Sequence, residues 1–374
     1  MTSLRELKHL PGWRCDRRYV AFAVDDYGTV RLANAKAREY LRQAIPSFGG
    51  QMNNFDSLEC REDLEALFDV LSRHSDAQGR HPIFTAYCLT ANPDFEHLRQ
   101  NREYHYETVL QTFERAATKS PAYERAWAVW QQGMRAGLIR PQFHGREHFN
   151  VPLINWKLAN DTPDMAANLA VQSMAGLTPS PEFPGIEFSQ AFSFRDSSEL
   201  MQQRAIIAEG LRLFEQIFGF ASSTFTPPSL KLHVSHDQFV RDLGVKSIDK
   251  PLYGQQPGDN GKTRRNINFL APPRDGRVGK MVRTLSFEPC SGSKSDPIGH
   301  AFREIESAFR WKKPVIISSH RVNYAGHIDP ANRRRGLAAL EELIEKMVRR
   351  WPDIQFVTVD ELVSLMEESV SRRS

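Results

Sequence analysis

The stretch YVAFAVDDYG, residues 19–28, decides how the rest of the chain is read. Apolar residues run unbroken from Tyr19 to Val24, and Asp25, Asp26, Tyr27 and Gly28 follow at once. A short apolar run bounded by turn residues reads as a buried strand whose end opens on a loop. Two adjacent carboxylates repel each other there. A divalent cation would resolve the conflict by taking one aspartate as ligand and leaving the other as a base. The same residues also suit a plain turn in which the glycine takes a positive φ.

Working outward, the pattern repeats. Apolar runs at 82–89, 138–143, 223–226, 245–248, 315–319 and 355–358 alternate with helical periodicity. The helices are expected near 32–44, 58–71, 121–136, 154–174, 198–218, 237–243, 298–311 and 330–349, with a last one from Asp360. Between 250 and 294 the composition shifts to Gly, Pro and charged residues around two short extended runs, which reads as an inserted excursion. The βα rhythm predicts an α/β chain, residues 1–374 forming one catalytic unit built as a distorted (β/α) barrel of seven or eight strands. A doubly wound open sheet is the rival. Either architecture gathers its working residues at the C-terminal ends of the strands.

Bulk properties narrow the partners. Lys and Arg total 49 against 45 Asp and Glu, a net charge of +4 spread along the chain with no basic block interleaved with aromatics. Nucleic acid is therefore not expected. The Arg333–Arg335 run reads as the solvated face of a helix. Cys15, Cys60, Cys88 and Cys290 are scattered, which suggests neither a disulfide framework nor a thiolate metal site. The first 20 residues are too charged for a signal peptide, and no apolar run approaches the ~20 residues that span a bilayer. A cytoplasmic protein without a membrane span is expected. Oligomeric state is not legible.

Two further motifs end strands. FHGREH, residues 143–148, spaces His144 and His148 four apart, which places them on one side of a helical turn and suits a metal site. Imidazole serves zinc, nickel, cobalt or iron(II). ISSHR, residues 317–321, puts His320 just past a buried-looking strand, where it can protonate a leaving group; His327 is a weaker candidate of the same kind. Each motif alone is also readable as an ordinary loop. Together, one Asp and two His leave coordination positions open for water and substrate, as a catalytic metal requires.

The order of an Asp-Asp pair, then His-x-x-x-His, then a late strand ending in His resembles the polysaccharide deacetylase (NodB-homology) family and its chitooligosaccharide-deacetylase relatives. The resemblance spans about residues 19–360 and rests on three short motifs. It implies Asp25 as base, Asp26, His144 and His148 as ligands of a divalent metal, zinc first, and His320 as general acid. The implied substrate is an acetylated saccharide, with Tyr27, Arg146, Trp156 and Arg321 as candidate contacts. The family's Arg-x-Pro segment, which braces the base, has Thr226 where the arginine should stand. That leaves Arg146 and Arg321 as substitutes, and the family's additional aspartate without a counterpart. Two rivals remain. An inverted-zincin protease would use His144, Glu147 and His148, although Pro141, Gly145 and Pro152 oppose the long helix it needs. An inactive carbohydrate-binding barrel is the other.

Overall fold

The computed structural model describes residues 8–274, 276–292 and 295–371. The sequence readings that fall on residues 1–7 and on 275, 293 and 294 lie outside these. Nine strands form one sheet: β1 (Arg18–Tyr27), β2 (Phe84–Leu89), β3 (Ile139–Gly145), β4 (Thr224–Phe225), β5 (Ser247–Asp249), β6 (Gly279–Met281), β7 (Leu285–Ser286), β8 (Val315–His320) and β9 (Ile354–Phe356). All pair in parallel, in the order β6-β5-β4-β3-β2-β1-β8-β7, with β9 against the start of β1.

The expected distorted (β/α) barrel is a curled, mostly covered parallel sheet that stays open. Its two edges, β6 and β7, are consecutive in the chain and separated only by Val282, Arg283 and Thr284. Parallel pairing needs a crossover of a dozen or more residues, so these two strands cannot close a ladder on each other. The stretch 250–294 is likewise more than an excursion. It holds a hairpin, Tyr253–Pro257 with Thr263–Ile267, but also both edge strands of the sheet. Strands of two and three residues carry too little periodicity to be recognised in a sequence.

Both faces of the sheet are covered, which is why β1 reads as continuous apolar sequence. Val20, Phe22 and Val24 join the main core with Phe84, Phe143 and Phe225. Tyr19, Ala21 and Ala23 point the other way, to a smaller cluster with Tyr87, Ile316 and Met281. Val359, Leu362, Val363 and Met366 of helix Val359–Ser371 belong to that second cluster. Full burial of each large apolar side chain contributes roughly 1.5–3 kcal/mol. The single helix expected at 154–174 is two, Val151–Ala159 and Pro163–Ala170, because Pro163 can only open a helix. Among the described residues, no helix is long and apolar enough to cross a membrane.

Candidate metal centre and active site

The site begins with an irregularity in β1. Strict alternation after Val24 would send Asp25 to the inner face, Asp26 to the outer and Tyr27 to the inner again. Instead the register against β2 slips between Val24 and Tyr27, and Asp26 takes φ 73°. A left-handed aspartate costs about 1–2 kcal/mol, tolerated where the surroundings hold it. The extra residue leaves both carboxylates near the strand end and turns Tyr27 back into the main core, where it meets Trp130 edge-on at 5.4 Å.

A second irregularity lies opposite. Cys88 pairs with Phe143 but Leu89 pairs with Gly145, so His144 is the unmatched residue. Bulges of this kind re-aim side chains beside active sites. His144 is the penultimate residue of β3 and His148 lies in the loop beyond it, so the two histidines converge from a strand end and a loop, not from the helical turn their spacing suggests. That loop is tied down by Asn150, which caps helix Val151–Ala159 and donates to the carbonyls of Gln190 and Ser193.

Ligand atoms of Asp26, His144 and His148 lie within 4.8 Å of one another. Nε2 of each histidine is 3.4 Å from Oδ1 of Asp26. Nδ1 of His144 donates to the Thr226 carbonyl at 2.7 Å, which fixes the tautomer and turns the Nε2 lone pair toward the cluster. Asp26 Oδ1 and His144 Nε2 are buried without a hydrogen-bond partner among the described residues. Buried polar atoms left unpaired are costly, and a cation supplies what these lack. Burial alone would raise the Asp26 carboxyl, but the neighbouring imidazoles of His144, His148 and His320 hold it well below the usual carboxylate range. Burial also pushes His148 down to about 4, so its imidazole is neutral near pH 7. An anionic aspartate with neutral imidazole is the form that ligates a divalent metal. The residues therefore fit such an ion.

The Asp25 side is finished differently. Arg283, from the seam between the sheet edges, forks onto both oxygens of Asp25 at 2.7 Å. Its Nε donates to Asp249 at 2.5 Å, and Thr226 Oγ1 reaches the same Asp249 oxygen at 3.2 Å. Arg283 thus braces Asp25, and Asp249, at the end of β5, is its second acidic partner. Neither Arg146 nor Arg321 takes that position. Arg283 was not found in the sequence because the only signal was a lone arginine in a charged stretch.

His320 stands in direct register with Asp25, its Nε2 3.8 Å from Asp25 Oδ2. Its Nδ1 contacts Glu288 at 2.7 Å. Burial would lower the imidazole, but Glu288, together with Asp26 and Asp25, raises it to about 9. The ring can thus carry a proton at neutral pH, fixed at one nitrogen and free at the other.

The remaining candidates are placed plainly. Arg321 is 1% exposed and bonded to Asp56 and Glu59, so it organises the core beneath His320. Arg146 is paired with Glu147 and Glu209 and lies over Tyr106. Tyr27 is 1% exposed. None of these three turns a free polar or aromatic face outward. Trp156 is half-buried and packs edge-on against Phe183. Glu147 is 1% exposed with both oxygens held by Arg146, which removes it from the role a zincin reading requires. His327 packs against Tyr123 and stands apart from the cluster.

No family model and no curated protein matches the sequence. Among solved structures, two proteins provisionally described as polysaccharide deacetylases are similar in chain course. That from Mycobacterium smegmatis is 10% identical, with a TM-score of 0.46 over 95% of this chain and 92% of its own. That from Pseudomonas aeruginosa PAO1 is 11% identical, with a TM-score of 0.44 over 93% and 91%. The 4-alpha-glucanotransferase from Thermococcus litoralis is 9% identical, with a TM-score of 0.46 over 93% of this chain but 40% of that enzyme. All three scores are below 0.5, and the functional reading rests on the geometry of the site.

Proposed function

We propose that the chain is a metal-dependent hydrolase that removes acetyl groups, N- or O-linked, from a carbohydrate. One observation carries the reading: an Asp-His-His cluster with unpaired ligand atoms stands beside an aspartate gripped by Arg283 and a histidine whose proton Glu288 retains. The saccharide part of the proposal comes from the order of the motifs and the family they resemble.

A divalent cation bound by Asp26, His144 and His148 would polarise the acetyl carbonyl and lower the pKa of a coordinated water. Asp25 accepts the proton of the attacking water. The Arg283 fork fixes the plane of its carboxylate and leaves one lone pair on each oxygen free. His320 donates from Nε2 to the departing amine or alkoxide while Glu288 holds Nδ1. The acyl bond breaks, a carbon–oxygen bond to the water oxygen forms, and acetate leaves. Zinc is the first choice of metal, with nickel, cobalt and iron compatible with the same donors.

The reading is tested by acetate release from N-acetylated and O-acetylated oligosaccharides, before and after chelation and on return of zinc. Release that stops with chelator and resumes with metal supports it. A chain that binds metal but releases acetate from none of these would leave the inactive binding barrel. The main argument for that alternative, Thr226 in place of an arginine, loses its force once Arg283 occupies the gap.

A further inference from the structure

A second group of metal-ligating side chains converges away from the Asp26 cluster. Beyond β2 the chain forms a small hairpin, Ala91–Pro93 with Tyr106–Thr108, whose connection carries the short helix Phe95–Asn101. The Asp94 amide donates to the His105 carbonyl at 3.0 Å and so closes the base of that connection. Asp94 Oδ1 accepts from the His97 amide at 3.1 Å, while Oδ2 lies 3.5 Å from Nδ1 of His105. The rings of His97 and His105 stack, centroids 4.4 Å apart and planes 26° apart. One ligand atom from each of Asp94, His97 and His105 lies within 4.8 Å of the others.

We propose that Asp94, His97 and His105 form a second metal site, independent of the first and taking a borderline dication such as zinc, nickel, copper or cobalt. Two imidazoles favour these ions over magnesium or calcium, which prefer oxygen-only sites. Asp94 divides its work: one oxygen caps the short helix and the other faces the histidines. Asp94 and His97 are half-buried and His105 is exposed, so water completes the coordination sphere. Three ligands from the two ends of the connection make this a structural clamp.

What it clamps is the rim of the candidate active site. Asn92 in the hairpin donates to the Gly28 carbonyl and accepts from Val30, just past the Asp25–Asp26 bulge. Tyr106, next to His105, donates to Glu209 and lies under Arg146, which sits between the two histidines of the first cluster. A metal at Asp94, His97 and His105 would fix the helix to this hairpin without touching the chemistry.

The test is the number of zinc equivalents bound by the metal-free full-length chain, measured by equilibrium dialysis. Wild type is expected to take two, His97→Ala/His105→Ala one, His144→Ala/His148→Ala one, and the quadruple variant none. His97 is half-buried and His105 exposed, both outside the hydrophobic clusters, and far-ultraviolet circular dichroism checks that their replacement leaves the fold intact. A single equivalent lost with His97 and His105 would support this site while refuting the first. Retention of every wild-type equivalent in His97→Ala/His105→Ala, or no zinc bound at all, overturns the proposal.

Discussion

On one side of the candidate site Asp26, His144 and His148 converge, with Asp26 Oδ1 and His144 Nε2 lacking a hydrogen-bond partner among the described residues. A few ångströms away, Arg283 pairs both oxygens of Asp25 and one oxygen of Asp249, whose Oδ1 alone is left without a hydrogen-bond partner among the described residues. The first side thus leaves candidate ligand atoms open, whereas on the second the protein itself pairs both oxygens of Asp25. Buried charge is expensive unless paired, so each carboxylate at the end of β1 needs a counter-charge. For Asp25 the chain supplies it in Arg283; for Asp26 the account assigns it to a metal. The difference separates a group that must stay oriented from a group that must exchange its partners.

Four variants probe the difference. Asp25→Asn should retain metal and lower kcat by about 10²–10⁴-fold, the usual worth of a positioned general base; full turnover at saturating metal would remove Asp25 from the mechanism. Arg283→Met leaves Asp25 and Asp249 buried without their counter-charge. It should cost about 3–5 kcal/mol of stability in denaturant unfolding while metal stoichiometry is unchanged.

Glu288→Gln acts through protonation. His320 is raised to about 9, chiefly by Glu288 acting against burial, and as an acid it works protonated. Activity should therefore persist at neutral pH and fall as pH rises toward 9, somewhat sooner once a bound cation offsets the charge of Asp26. The same sign holds for stability, where the His320–Glu288 contribution is present below the ordinary histidine pKa of about 6.5 and is lost as pH climbs through the raised value. Glu288→Gln should move the alkaline limb of the rate profile down, and a limb that stays put would exclude His320 as the acid. The smallest effect is expected from Trp156→Ala: a few-fold rise in KM with kcat nearly constant, if the half-buried indole touches the saccharide.

How much of this was legible in the sequence follows the same division. The Asp26, His144 and His148 cluster was legible because its residues lie at or just past the ends of long strands and sit in short motifs, YVAFAVDDYG or FHGREH. The brace was not, because Arg283 belongs to a three-residue seam between strands too short to show a period. Its partners, Asp25 and Asp249, come from distant parts of the chain. Tyr27 was misplaced for a local reason, since the slip at Asp25–Asp26 reverses the face that simple alternation assigns it. Arg321 was misplaced for a tertiary one: only the fold brings Asp56 and Glu59 beneath it.

Whether Asp26, His144 and His148 hold an ion is decided by metal content, measured by elemental analysis after loading with zinc, in the His97→Ala/His105→Ala background so that only the first site is counted. The account predicts one equivalent in that background, its loss on adding either Asp26→Ala or His144→Ala, and its retention on adding Asp25→Asn. No metal in the background protein, or the same metal content after Asp26→Ala and His144→Ala, would contradict it.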